Sequence, residues 1–248
     1  MTTGVRAYVG SPVALAWTLL GAAAVGGVVA TGWRLVRAVT TWTTLTDPTV
    51  LDGLGSVLAW ALGSTAVLAV CGAVWLPCSV AIAHAVGGTH RGRPPTGAET
   101  ARRVASRAEP LYRWVKTRLA VGPLAERLLT EDDVSAVEVA VGCDAFVVPA
   151  IALDAPTLPF AVERANRVVP EPGRRQVQFV GVGATATLVA VAWGLGVALG
   201  STLGAGVVSS ATLAGGVGVV GLVVTAAVDT AWRAGVYATS DLDEGFSR

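Results

Sequence analysis

Long runs without a charged residue constrain this chain more than any other feature. Residues 12–32, 54–86, 177–200 and 205–228 contain no Asp, Glu, Lys or Arg. A helix of about 20 apolar residues is long enough to cross the hydrocarbon core of a bilayer. We therefore predict an all-α, polytopic membrane helix bundle in which these four runs are transmembrane helices, with residues 1–248 forming one integral membrane domain.

Composition supports the same class of protein. Hydrophobic residues make up 53% of the chain and charged residues 14%, and the mean hydropathy is +0.62. Soluble domains carry about 25% charged residues, so the deficit favours a lipid environment. The net charge of +1 names no partner.

Motifs for catalysis, metal binding or nucleotide binding are absent from the sequence. The three cysteines, Cys71, Cys78 and Cys143, lie in apolar surroundings without a CxxC pair, and His84 and His90 are too few for a zinc site. We expect no enzyme activity, no metal and no cofactor. We also expect no nucleic-acid binding, because the arginines adjoin predicted membrane segments and no aromatic platform is interleaved with them.

A fifth apolar stretch, residues 134–153, carries two carboxylates, Glu138 and Asp144. Its nine strongly apolar residues contribute on the order of −4 kcal/mol to insertion, whereas a central Asp costs about +2.5 to +3.5 kcal/mol. The second acid, Gly142 and Pro149 add to that cost. We predict a shallow helix that either dips into the membrane or packs against the bundle without crossing.

The distribution of basic residues leads to the same topology. If 134–153 does not cross, sixteen of the eighteen Lys and Arg residues fall on one side, leaving only Arg34 and Arg37 on the other. Cytoplasmic loops are enriched in Lys and Arg. We therefore predict a multi-pass protein of the cytoplasmic membrane with both termini inside the cell.

Residues 98–121 have the pattern of a basic amphipathic helix. Apolar residues recur at spacings of three and four, and the other faces carry basic residues. Such a helix either lies on the anionic inner leaflet or packs against its own bundle, with Pro110 bending or segmenting it. We also predict a cytoplasmic helix at 158–169 and a short carboxyl-terminal tail at 234–248, the last eight residues of which (241–248) are expected to be exposed to solvent. The predicted membrane-surface basic face consists of Arg102, Arg103, Arg107, Arg113 and Lys116.

Small residues at four-residue spacing are expected to mediate helix contacts, because lipid supplies no hydrophobic drive for helix association. They provide either intramolecular seams or an oligomer contact with a second copy or a partner membrane protein. Asp229 and Arg233, four residues apart, are expected to form an interfacial ion pair. The small-residue stripes are Ala22, Gly26 and Ala30; Gly196, Gly200 and Gly204; and Gly206, Ser210, Ala214 and Gly218.

The carboxyl-terminal half contains a Phe-Val-Val-Pro segment at 146–149, then Ala161 and Arg164, and a Tyr-Ala-Thr stretch at 237–239 that is followed by Gly245 and Phe246. In these motifs it resembles an uncharacterised family of prokaryotic, haloarchaeal-like multi-pass integral membrane proteins of unknown function. The resemblance implies about six hydrophobic elements and no known activity. The chain departs from it before Phe146, where the segment "WVKTRLAVGPLAERLLTEDD" is too charged to span.

Three classes of function remain open. Ionisable residues inside a membrane are costly and therefore functional candidates, so Glu138 and Asp144 either have structural partners, such as Arg118 or Arg164, or bind a proton or cation. We expect a structural, accessory or scaffolding membrane protein. A small transporter or channel subunit is the alternative, and a membrane-embedded enzyme is disfavoured because no pair of nucleophile and base is visible.

Overall fold

A computed structural model describes residues 2–46, 54–119, 144–168 and 207–245. These residues form helices and turns, without a strand among them, which agrees with the predicted all-α class. We number the helices in chain order: α1 (Thr2–Val9), α2 (Pro12–Thr46), α3 (Leu54–His90), α4 (Gly97–Ser106), α5 (Ala108–Leu119), α6 (Asp144–Leu153), α7 (Leu158–Val168) and α8 (Val207–Gly245).

Three of these helices are long and apolar enough to cross a membrane. The qualifying segments are Pro12–Val39 in α2, Leu62–His90 in α3 and Gly216–Ser240 in α8. They coincide with three of the four predicted spans, and the fourth, 177–200, lies outside the described residues. Their outer faces carry large apolar side chains that are half or more exposed, including Leu19, Leu35, Leu62, Leu68 and Val220. Apolar surface of this extent is typical of contact with lipid or with another protein.

A short amino-terminal helix, α1, precedes the first span and is absent from the sequence-based prediction. The Ser11 hydroxyl accepts a hydrogen bond from the Ala14 N–H at 3.3 Å, and Pro12 is the first helical residue of α2. Ser as a cap and Pro at the first position are a favoured helix start. Across this turn the Tyr8 and Thr18 hydroxyls are 2.8 Å apart, so α1 is fixed to the first turns of α2.

Helices α2 and α3 pack antiparallel through glycines that receive large side chains. A Cβ on Gly21 would lie 2.6 Å from the Trp75 ring, and a Cβ on Gly32 would overlap Val67. The pairing is mutual, since Val36 of α2 fills the space beside Gly63 of α3. The expected stripe of Ala22, Gly26 and Ala30 is not this seam, because Gly26 has no neighbour within 4 Å among the described residues.

The end of α3 is closed by a glycine turn. Gly92 has a positive φ of 71°, and the N–H groups of Arg93 and Gly92 bond to the carbonyls of Gly88 (2.8 Å) and Thr89 (3.1 Å). This is the Schellman arrangement, which satisfies the last carbonyls of a helix and favours glycine at the left-handed position. The chain therefore turns sharply after α3 toward the start of α4.

The predicted helix 98–121 is divided into α4 and α5. Thr96 caps α4, since its hydroxyl accepts from the Glu99 N–H at 3.3 Å and the Glu99 carboxylate accepts from the Thr96 N–H at 2.8 Å. The break falls at Arg107, three residues before Pro110. A proline ring clashes with the carbonyl four residues earlier in a continuous helix and kinks or breaks it, which accounts for a break next to Ser106.

Helix α6, the described part of the predicted stretch 134–153, is enclosed by protein. Phe146, Val147, Ala150, Ile151 and Ala152 are at most 1% exposed. The helix packs against α3, α7 and α8, and Leu153 occupies the space beside Gly87 of α3. Helix α7 occupies the segment predicted as the cytoplasmic helix 158–169. Of the alternatives left open for 134–153, the described part packs against the bundle.

Helix α8 continues to Gly245 and so includes most of the predicted carboxyl-terminal tail at 234–248. Ala234, Tyr237 and Ala238 are buried, and a Cβ on Gly235 would lie 3.0 Å from the Cα of Gly4. Contacts with α1 and with the cluster around α6 and α7 therefore keep this segment helical. The hydropathy of the sequence marks where the apolar run stops, which is not where helix hydrogen bonding stops.

Candidate functional site

Among the described residues, an ion pair joins Arg91 to Asp154 across distant parts of the chain. The two guanidinium nitrogens Nη1 and Nη2 donate to Oδ1 and Oδ2 at 2.7 and 2.8 Å. Arg91 follows α3 directly and Asp154 follows α6 directly. The side chains are 24% and 19% exposed. This two-pronged geometry is the strongest form of an arginine–carboxylate pair, and it fastens the ends of two helices that are 63 residues apart.

Asp154 is held in its charged form. Its burial favours the neutral acid and raises the pKa, but hydrogen bonds from Arg91, the charge of Arg91 and a hydrogen bond from Tyr237 outweigh that effect. The net result is a pKa below the ordinary value for an aspartate. Asp154 therefore stays ionised throughout the neutral range.

Arg103 of α4 binds the carboxyl end of α6. Its Nε donates to the Ala152 carbonyl at 2.8 Å, and its Nη2 donates to the Leu153 carbonyl. The last carbonyls of a helix lack partners within the helix and carry partial negative charge. A cation in this position satisfies both needs. Burial lowers the pKa of Arg103 from its ordinary value, although an arginine remains protonated at neutral pH.

Two further side chains complete what we call the polar cap, defined as Arg91, Arg103, Arg107, Asp154 and Tyr237. Arg107 is only 9% exposed and Tyr237 only 1% exposed. The pKa of Arg107 is lowered by burial and by the charge of Arg103, and the charge of Asp154 opposes that shift. The polar cap thus joins the turn after α3, the helix α4, the end of α6 and the helix α8 in one layer.

An open cleft of about 610 Å³ lies beside the polar cap. Its charged and polar lining consists of His84, Arg93, Glu99, Arg102, Arg103 and Ser106. Pro94 and Pro95, which follow the turn at Gly92, form a stiff part of the wall. Glu99 is committed to capping α4, and hydrogen bonds from the Thr96 backbone and side chain lower its pKa. Three arginines against one carboxylate make the cleft basic.

The residues predicted as an ion, proton or structural polar site are only partly described. Glu138 lies outside the described residues. Asp144 is the first residue of α6, and its side chain lies outside the described part. The pairing of Asp144 with Arg118 or Arg164 therefore stays a prediction.

Asp229 and Arg233 form the expected pair, with the Arg233 Nε 2.7 Å from Oδ2 of Asp229. The pair lies within the apolar segment Gly216–Ser240 rather than beyond its end. Both side chains are about one-fifth exposed, at 23% and 21%. Each charge is thus compensated inside the same helix.

The five residues predicted as a membrane-surface basic face differ in their surroundings. Arg103 bonds to the end of α6, and Arg107, which follows α4, is buried. Arg102 is exposed, Arg113 pairs with Glu109 at 2.9 Å, and Lys116 is half-buried. The amphipathic pattern arises in large part because these helices pack on the bundle.

Arg91 and Asp154 are the residues that sequence reasoning missed. Asp154 stands at the first polar position after an apolar run and directly before Ala155-Pro156, and Arg91 directly precedes Gly92. Those neighbours mark helix ends, where a charge is easily accommodated. Their partnership depends on tertiary packing and leaves no local signal.

No group of three or more His, Cys, Asp or Glu side chains in the described segments is arranged to hold a metal ion. Comparison of the chain with protein-family models, with curated proteins and with solved structures finds no match in any of the three.

Proposed function

We propose that the protein is a multi-pass protein of the cytoplasmic membrane with four crossing helices: α2, α3, residues 177–200 and α8. Three apolar helices with exposed apolar outer faces support this class. An even number of crossings brings both termini to one side, and the excess of basic residues there favours the cytoplasmic side. The lipid bilayer is then its principal partner.

The role that the geometry supports best is structural or accessory: a membrane anchor that holds a rigid helical platform, α4, α5 and α7, at its cytoplasmic end. One observation carries this proposal. The charged side chains of Arg91, Asp154 and Arg103 form hydrogen bonds that join helix ends to one another. Groups that are saturated by internal partners fix a scaffold and are poorly placed to bind and release a solute.

A small transporter or channel subunit is the alternative, and one feature favours it. Helix α6 is enclosed by other helices, contains Pro149 and begins at Asp144. Short, interrupted helices at the centre of a bundle are where transporters bind ions. In this alternative Asp144 and Glu138 bind a proton or cation, and a homo-oligomer supplies the additional spans that a pathway needs.

Two related expectations are part of the proposal. We propose that Gly196, Gly200 and Gly204 form a close contact with another helix, either of the same chain or of a second copy. We also propose that the chain belongs with the prokaryotic membrane proteins that its carboxyl-terminal half resembles.

Reconstitution into proteoliposomes separates the two functions. A pH-sensitive dye and a potassium gradient would report proton or cation flux for the wild-type protein and for the variants Asp144→Asn and Glu138→Gln. We expect flux equal to that of protein-free liposomes in every case. Flux by the wild-type protein that Asp144→Asn abolishes, with thermal unfolding unchanged, would overturn the structural proposal in favour of transport.

A further inference from the structure

The basic cleft beside the polar cap has cationic groups that the fold does not use. Arg93 and Arg102 are both exposed, and neither guanidinium makes a hydrogen bond or a close ion pair with the described residues, although the charge of Arg102 acts on Glu99. Arg103, by contrast, is bound to the end of α6. Two cations thus remain on the wall of one cleft, available to a ligand.

The other polar groups of the cleft add hydrogen-bonding capacity. His84 Nδ1 is buried and has no hydrogen-bond partner among the described residues. Ser106 donates its hydroxyl proton to the Arg103 carbonyl at 2.9 Å, so its oxygen is left as an acceptor. The one acid, Glu99, accepts two hydrogen bonds from Thr96, at 2.8 and 2.9 Å. The capping interaction therefore holds the carboxylate at the start of α4.

These charges select the ligand. Guanidinium groups match the oxygens of a phosphate in paired, charge-assisted hydrogen bonds. A cleft with two uncommitted arginines and one occupied carboxylate favours an anion, and its volume of about 610 Å³ is ample for a phosphate with a small polar substituent. It is too open to enclose an apolar molecule.

The position of the cleft relative to the apolar segments indicates which kind of phosphate compound it would meet. His84 belongs to the apolar segment that ends at His90, and Arg93 follows three residues later. The cleft therefore extends from the end of a predicted span into the layer above it. Phospholipid headgroups occupy that layer, and anionic ones attract clustered arginines there.

We propose that this cleft binds the phosphate-bearing headgroup of an anionic phospholipid. The inference rests on the membrane insertion proposed above and adds a defined lipid site to it. The site differs from a general attraction of basic helices to the leaflet, because it depends on Arg93 and Arg102 and not on every surface arginine.

Lipid binding by the full chain, purified in detergent, tests the proposal. Phosphatidylglycerol and phosphatidylcholine would be titrated separately, with bound lipid measured by native mass spectrometry. The cleft variant is Arg93→Gln with Arg102→Gln. The matched control is Arg6→Gln with Arg167→Gln, which removes the same charge from exposed residues outside the cleft lining.

We expect the wild-type protein and the control to bind phosphatidylglycerol in preference to phosphatidylcholine, and the cleft variant to bind it about tenfold more weakly. Equal binding by the cleft variant and the control would overturn the proposal. Displacement of the lipid by inorganic phosphate at equal concentration would also overturn it, in favour of a soluble anion.

Each variant is also tested for membrane insertion by separating alkali-washed membranes from the soluble fraction. This measurement distinguishes a failure of the lipid site from a failure of the proposed membrane insertion. A protein that is retained in alkali-washed membranes but binds phosphatidylglycerol without preference contradicts the cleft alone. Recovery of the wild-type protein in the soluble fraction contradicts the insertion on which both proposals depend.

Discussion

At the scale of single residues, Asp154 is the position at which one substitution tests most of the polar cap. Its carboxylate accepts two hydrogen bonds from Arg91 and also interacts with the Tyr237 hydroxyl. Removing the charge leaves the Arg91 guanidinium, 24% exposed, without its main counter-charge. A partly buried cation that loses its main counter-charge is destabilising because its desolvation is less well compensated.

We expect Asp154→Asn to lower the free energy of unfolding by about 1–3 kcal/mol, less than for a fully buried pair because water still reaches both groups. Thermal unfolding in detergent would measure it. Glu163→Gln is the matched control: the Glu163–Arg167 pair is more than half exposed, so its loss should cost less than about 0.5 kcal/mol. Equal effects of the two substitutions would contradict the special role of Asp154.

The same variant should change the dependence of stability on pH. Because the pKa of Asp154 is lower in the folded protein than in the unfolded chain, its contribution is complete above about pH 4 and is lost as the pH falls through the folded-state pKa. Asp154→Asn should therefore lose less stability than the wild-type protein as the pH falls below about 4. If the stability of the two proteins fell equally with decreasing pH, Asp154 would not be the group responsible for the loss of stability in acid.

At the scale of helices, close packing between α2 and α3 depends on particular glycines rather than on a regular stripe. Gly32 lies against Val67, whereas Gly26 on the same helix meets no described residue within 4 Å. The two positions have the same residue type and the same helical environment. Only the neighbour across the helix pair differs.

We expect Gly32→Ala to destabilise the protein by about 1–3 kcal/mol, because Val67 and the backbone of α3 must move apart to admit the methyl group. Gly26→Ala should be neutral or stabilising by up to about 1 kcal/mol, because alanine is the better helix former. Thermal unfolding of both variants in one detergent would check this. If Gly26→Ala were the less stable of the two variants, the helix contact would instead involve the predicted stripe of Ala22, Gly26 and Ala30.

The positions of the long helices could be predicted from the sequence more accurately than the residues at which they end and the contacts they make. Uncharged runs located α2, α3 and the apolar part of α8, because crossing a bilayer requires such runs. The sequence-based prediction placed the ends of α2 and α8 too early, since nothing between Trp33 and Thr46 or between Tyr237 and Gly245 forces a helix to stop. The break at Arg107 follows from Pro110, which is local and was foreseen as a bend.

The candidate site was harder to predict for a physical reason. An apolar run with two acids draws attention to Glu138 and Asp144, because the cost of burying a charge can be estimated from the sequence. The Arg91–Asp154 pair contains ordinary charges at helix ends, where each is inexpensive on its own. They stabilise the fold only because they form an ion pair with each other, and that pairing depends on how α3 and α6 pack.

At the scale of the whole molecule, the charges of the polar cap and of α4, α5 and α7 gather where α3 ends, and Arg34 and Arg37 lie along α2 far from its start. A bundle with this asymmetry has one orientation that satisfies the positive-inside rule. The central claim is therefore that the turn between α6 and α7 faces the cytoplasm, together with the polar cap.

Cysteine accessibility in intact cells measures that claim directly. In a background with Cys71, Cys78 and Cys143 replaced by Ala, one variant carries Thr157→Cys, at an exposed position in the turn after Asp154, and a second carries Asp52→Cys, between α2 and α3 in the sequence. A membrane-impermeant maleimide should label Asp52→Cys in intact cells and label Thr157→Cys only after permeabilisation. Labelling of Thr157→Cys in intact cells would contradict the account.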